Sequence, residues 1–162
     1  MRNKVLAQSI TFTEEKLKSS LKKIQSNINF AVHSVIYYPY HFFHYDVKAK
    51  RIFLPKNEEV GCTVEPVSGI GSLIDYTPKL SSVEISIEKQ VPQTYTLEEC
   101  RTISESFIYQ SISLKMKMLS ISELIFKYHE FFYRPYWVVT SNNPKEVPDF
   151  IVDAVTGQYH PL

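Results

Sequence analysis

The chain has 162 residues, enough for one domain or two small units, and such a chain buries roughly 70% of its unfolded surface without needing disulfides. Lysine and arginine number 18 against 17 aspartates and glutamates, a net charge of +1, which removes any global electrostatic reason for a nucleic acid or an anionic membrane as partner. Aromatic residues reach 14% while glycines number 4, and with no GxGxxG or GxxxxGK[ST] the sequence encodes no phosphate-cradling loop.

The N-terminal stretch MRNKVLAQSITFTEEKL is too briefly apolar for a signal peptide, and no segment approaches the ~18 apolar residues of a membrane span. With only two isolated cysteines, Cys62 and Cys100, the reading is a reduced, cytoplasmic protein, unless an export segment has been removed. Thr11 and Glu14 have the spacing of a capping box. Leu17, Leu21, Ile24 and Ile28 then recur at three- and four-residue steps, which predicts an amphipathic helix.

VIYYPYHFFHYDV (35–47) reads as a strand, with Pro39 expected at a strand start, an edge or a bulge because proline lacks the ladder donor. Strands KRIFLP (50–55) and EVGCTVE (59–65) follow. VEPVSG (64–69) ends in a turn where Gly69 supplies a positive φ and the acid accepts turn amides. SSVEISIEKQ (81–90) alternates Val83, Ile85 and Ile87 with Glu84, Ser86 and Glu88, a half-exposed strand guarded by its two glutamates.

Thr96 and Glu99 form a second capping box. An apolar stripe then runs through Cys100, Ile103, Phe107, Leu114, Met118, Ile121, Ile125 and Tyr128. It predicts one long helix, or two with a new start at Ser120 or Glu123. YRPYWVV (133–139) and PDFIVDA (148–154) read as strands, VDAVTG (152–157) as a turn, and QYHPL (158–162) as a short returning strand.

Three signatures recur in the same order: TFTEEKLKSSL with TYTLEECRTIS, YYPYHFF with YRPYWVV, and VEPVSG with VDAVTG. The expectation is an α+β fold of two tandem repeats, 1–80 and 81–162, each a helix packed on a curled antiparallel sheet and both sharing one core. Val152, Asp153, Ala154, Thr156 and Gly157, with Val64, Glu65, Ser68 and Gly69 in the first copy, resemble the motif of the PepSY family of small α+β modules. The first copy departs from it with Glu65 for the acid and Pro66 for the alanine. The resemblance implies modules that bind or restrain other proteins, peptidases among them, and brings no catalytic residues.

No residue pattern encodes catalysis, a metal or a cofactor. His41 and His44, three apart on a strand, point to opposite faces, and His33, His129 and His160 lack ligand-spaced partners. Cys100 packs as a small hydrophobe on the stripe; SGIGS (68–72) has glycines at the wrong spacing for a nucleophile elbow. KAKR (48–51) beside the aromatic strand reads as solvated charge at a hairpin turn rather than a nucleic-acid site. Both faces of 35–47 are aromatic, one expected under a helix and the other only partly covered. The reading is a non-enzymatic module that binds a protein or peptide through Tyr38, Tyr40, His44, Arg134 and Tyr136, or through a free sheet edge. The alternative is a small enzyme or ligand carrier with a pocket between sheet and helix, lined by tyrosine, histidine and Trp137; a self-associating protein is a third possibility.

Overall fold

The computed structural model describes residues 1–24, 27–50, 55–115 and 120–162. Residues 51–54 of the expected KRIFLP strand, Arg51 among them, and Met118 of the second stripe lie outside these. Among the described residues there are two α-helices, α1 (Glu14–Ile24) and α2 (Leu97–Lys115). The strands are β1 (Arg2–Ala7), β2 (Phe30–Lys50), β3 (Pro55–Glu65), β4 (Ile70–Ile74), β5 (Ser81–Ser86), β6 (Ser120–Ser141), β7 (Phe150–Asp153) and β8 (Tyr159–Pro161). Hydrogen bonding orders them β4-β3-β2-β6-β1-β5, with β7 on β6 and β8 on β7. The sheet is mixed: β1 meets β6 in parallel at Ala7 and Tyr133, whereas β1 with β5, β2 with β3 and β6 with β7 are antiparallel.

This overturns the expected pair of helix-on-sheet repeats. The described residues are 51% strand and 21% helix, with one eight-stranded sheet. The reason lies in the two YxPY segments, which run on through their prolines: β2 is 21 residues long and β6 is 22. The second apolar stripe is also cut short. Ile121, Ile125 and Tyr128 belong to β6, where β-branched and aromatic side chains favour the pleated sheet over a continued helix.

Pro39 and Pro135 are fully buried inside these strands rather than at a start or an edge. The missing amide is tolerated because each proline stands at a seam between strand neighbours. On β2, Tyr37 accepts from Val91 N (2.9 Å), and β3 takes over from His41. On β6, Tyr133 accepts from Gln8 N (3.0 Å), and β7 takes over from Tyr136. Backbone groups two residues apart point the same way, so each proline nitrogen faces its seam, where no ladder donor is needed.

The chain divides into two compact units, each drawn from both halves of the sequence. Unit 1 comprises Met1–Tyr38, Lys79–Val91 and Tyr133–Leu162; unit 2 comprises Pro39–Pro78 and Pro92–Phe132. Unit 1 packs Leu17 and Leu21 of α1 on Val35, Trp137, Val139, Val152 and Ala154. The stripe is narrower than expected, since Ile24 is exposed. The helix also starts two residues later, with the Thr13 hydroxyl accepting Lys16 N (3.4 Å) while Thr11 bonds the Val155 carbonyl instead. Unit 2 packs Cys100 and Ile108 of α2 on Phe43, Tyr45, Cys62 and Val64. Its capping box forms as expected: Thr96 N donates to Glu99 Oε2 (2.7 Å) and Glu99 N to Thr96 Oγ1 (3.3 Å). Both cysteines are free, and burial pushes the Cys62 thiol up to about 12 and the Cys100 thiol to about 11, as for small inert hydrophobes.

Each unit closes one turn with an acid and a glycine. Glu65 accepts Val67 N and Ser68 N, and Gly69 (φ 74°) donates to the Glu65 carbonyl. Asp153 accepts Val155 N (2.8 Å) and Thr156 N (3.3 Å), and Gly157 (φ 79°) donates to the Asp153 carbonyl. At Gly157 a Cβ would also stand 2.9 Å from the Phe12 ring. Gly157→Ala is therefore expected to destabilise the protein by about 1–3 kcal/mol. A urea titration checks this: the midpoint falls while the slope is unchanged, and an unchanged midpoint contradicts the account.

Candidate functional site

The five residues singled out from the sequence do not fall in one unit. Tyr38, Arg134 and Tyr136 belong to unit 1, Tyr40 and His44 to unit 2. In unit 1 Tyr136 is buried, packed edge-on against Tyr38 (5.2 Å between centroids) and near His160 (6.0 Å). Arg134 donates through Nε (2.9 Å) and Nη2 (2.6 Å) to Asp153 Oδ2. Burial by itself would raise the Asp153 carboxyl; the Arg134 bonds and charge, with the turn amides, outweigh it and hold the group below its ordinary 3.8. In unit 2 half-buried Tyr40 stacks on Phe132 (5.7 Å), and half-buried His44 stacks on Tyr128 (5.0 Å).

Alternation along β2 decides which face does what. Val35, Pro39, His41, Phe43, Tyr45 and Val47 are buried and Tyr37 half-buried, whereas on the other face Tyr38, Tyr40, His44 and Asp46 are half-buried and Phe42 is buried. Of the first set, Val35 packs under α1 in unit 1, and Phe43 and Tyr45 pack under α2 in unit 2. A groove of about 310 Å³ is lined by Phe42, His44, Glu59, Gly61, Ile74, Asp75, Tyr76 and Thr77, together with Val60 and Leu73, which also pack against the α2 core. That volume lies at the lower end of the range for ligand sites, roughly 300–1,000 Å³. β3 pairs with β2 so that Gly61 stands opposite His44. A Cβ on Gly61 would lie 2.8 Å from the Phe42 ring, so glycine leaves the space that ring occupies.

Tyr128 closes the groove along β6. It lies edge-on to Phe42 (5.7 Å), stacks on His44, and its hydroxyl is 3.4 Å from Thr77 Oγ1. Its neighbour Lys127 bonds Asp46 (2.8 Å), which shares the His44 face of β2. Successive strand residues point to opposite faces, so two neighbours meeting one face mark a β-bulge, after which His129 returns to the His41 side. His44 Nε2 sits 3.7 Å from Glu59 Oε2, too long for a hydrogen bond, and its Nδ1 is buried without a hydrogen-bond partner among the described residues. Among the described residues the ionisable groups lining the groove are His44, Glu59, Asp75 and Tyr76, with no lysine or arginine. A cleft of about 500 Å³ in unit 1 instead mixes Arg2 and Lys89 with Glu84 and Glu88, and so carries no dominant sign.

Sequence reasoning did not single out Glu59, placed only at the start of the strand EVGCTVE, or Asp75 to Thr77. It also placed Tyr128 on a helix. The usable signal was the alternation of Phe42 and His44 with Gly61 across a hairpin. Trp137, expected to line a pocket between sheet and helix, is instead buried in the core of unit 1, its Nε1 donating to the Phe12 carbonyl (2.8 Å). No group of three or more His, Cys, Asp or Glu placed to hold a metal occurs among the described residues.

Under α2, His41 Nε2 donates to Gln93 Oε1 (2.9 Å), which leaves Nδ1 bare to accept from His129 Nε2 (2.7 Å). Burial lowers both rings below the ordinary 6.5, partly opposed at His41 by the Gln93 bond and reinforced at His129 by His41. Depressed bases take up protons more readily unfolded than folded, so their stabilisation is complete above pH 6.5 and declines as pH falls toward the folded values. His129→Gln keeps a donor toward His41 but cannot titrate. It is expected to show a smaller loss of urea midpoint than the parent between about pH 7.5 and about pH 5. Equal losses would remove the pair as the source.

Among the described residues no helix is long and apolar enough to cross a membrane. No family model, no curated protein and no solved structure matches this chain.

Proposed function

We propose that the protein is a non-enzymatic module that binds another protein or a peptide, and that the partner adds a strand to β4 beside the His44 groove. The observation that carries this is the state of that edge. β4 ends the strand order, and its sequence IGSLI has no proline or charge to blunt pairing. Ile70 is 65% exposed and Tyr76, just past the strand, 60%. The opposite end of the order, β5, carries Glu84 and two exposed serines instead. Strand addition supplies main-chain hydrogen bonds for affinity, and the neighbouring groove supplies specificity. Of the residues expected from the sequence, His44 is the one this reading keeps at the site. The PepSY resemblance, which implies modules that bind or restrain other proteins, points the same way.

A second reading, a small-ligand carrier, is favoured by the groove volume and the polar atoms of His44 and Tyr76 at its walls. The two separate cleanly. Tyr76 replaced by p-benzoylphenylalanine and irradiated in the host cell should cross-link one protein in a stoichiometric adduct, identified by mass spectrometry. Ile70→Lys, which blunts the edge, should abolish the adduct without altering thermal unfolding. No adduct, together with a small molecule retained by the protein in native mass spectrometry, would establish the carrier.

A further inference from the structure

Most well-placed acids in this chain spend their lone pairs inside it. Glu65 and Asp153 accept turn amides, Asp153 also holds Arg134, and Glu99 accepts the Thr96 amide and hydroxyl. Glu59 and Asp75 accept no hydrogen bond among the described residues, yet both line the same groove. Among the described residues Lys127 is close enough to feel the Glu59 charge, but its ammonium is bonded to Asp46 at 2.8 Å. The remaining walls are rings: Phe42 and Tyr76 line the groove, and Tyr128 stacks on His44. Carboxylates beside the exposed Tyr76 ring are complementary to one chemistry, an ammonium or guanidinium on a flexible stem, which gains both ion pairing and cation–π attraction.

We propose that the groove receives the lysine or arginine side chain of the peptide strand added to β4, with Glu59 and Asp75 as its charge partners and Tyr76 against its stem. The assignment rests on the strand-addition reading. The spacing fits it: strands lie about 4.8 Å apart, so a strand beside β4 stands about 10 Å from β3. The Phe42 ring fills the space over Gly61, so a long basic side chain crossing β4 passes outside that ring to meet the Glu59 side chain reaching outward from β3. A short or acidic side chain does neither.

Nuclear magnetic resonance titration of the ¹⁵N-labelled full chain tests this with defined probes: N-acetyl-lysine methylamide, its glutamate counterpart, and a capped heptapeptide of alternating threonine and valine with a central lysine. Both lysine probes should shift the amides of Gly61, Tyr76 and Thr77, the glutamate probe should not, and the peptide should bind at least tenfold tighter than the single residue. Glu59→Gln combined with Asp75→Asn should weaken the peptide about tenfold while keeping the dispersed spectrum of the folded chain. Equal shifts from both single-residue probes, no shifts at the groove, or unchanged affinity in the double variant would overturn the cation assignment. A peptide no tighter than the single residue would point to a free amine and overturn the peptide part. The Tyr76 cross-link is read separately: if it persists while these tests fail, the binding module stands and only the cationic groove falls.

Discussion

Two missing amide protons organise this chain. A strand buried among neighbours must pair its backbone donors, and Pro39 and Pro135 offer none. The penalty vanishes only where the neighbouring strand changes, and both prolines sit at such a point: Gln90–Val91 gives way to β3 along β2, and β1 gives way to β7 along β6. The strands can therefore continue for 21 and 22 residues and serve two sets of neighbours in turn. Had either proline terminated its strand, each half of the sequence would have had to close on itself. Instead the unit boundaries fall at Tyr38–Pro39 and Phe132–Tyr133, beside the prolines.

The groove depends on the same continuity. Once β2 passes Pro39 its alternation is set, and that places His41, Phe43 and Tyr45 under α2 with Phe42, His44 and Asp46 opposite. A slip of one residue would exchange the two sets. The bulge at Lys127–Tyr128 then brings a second ring to the open face without disturbing the His41–His129 bond on the covered one.

Local devices were legible in the sequence because their chemistry is local. The Thr96–Glu99 box, the turns ending in Gly69 and Gly157, and the sided character of 35–47 each depend on residues within a few positions of one another. What the sequence did not reveal depends on partners far away. Residues 2–7 are unremarkable until β5 pairs with Val5, and Thr11 looks like a cap until Val155 competes for its hydroxyl. The stripe from Cys100 to Tyr128 fits a helix by spacing alone, yet beyond α2 its residues find strand neighbours instead. Glu59 and Asp75 are ordinary surface acids in the sequence, 16 positions apart, and become a pair only when β3 and β4 form a hairpin.

The two faces of the sheet in unit 2 follow opposite rules. Under α2 the polar groups close on one another. Ser104 Oγ donates to the Arg101 carbonyl (2.7 Å), so the Tyr45 hydroxyl must donate to Ser104 (2.6 Å), and burial pushes that phenol up to about 12. His41 is likewise satisfied at both nitrogens. On the open face His44 leaves a buried nitrogen unpaired, a deficit that costs about 1–3 kcal/mol in a typical site, and two acids hold unused acceptor capacity beside it. Two buried side-chain atoms lack a hydrogen-bond partner among the described residues, Gln8 Oε1 in unit 1 and His44 Nδ1 in unit 2, and only the second lies at the groove beside the β4 edge.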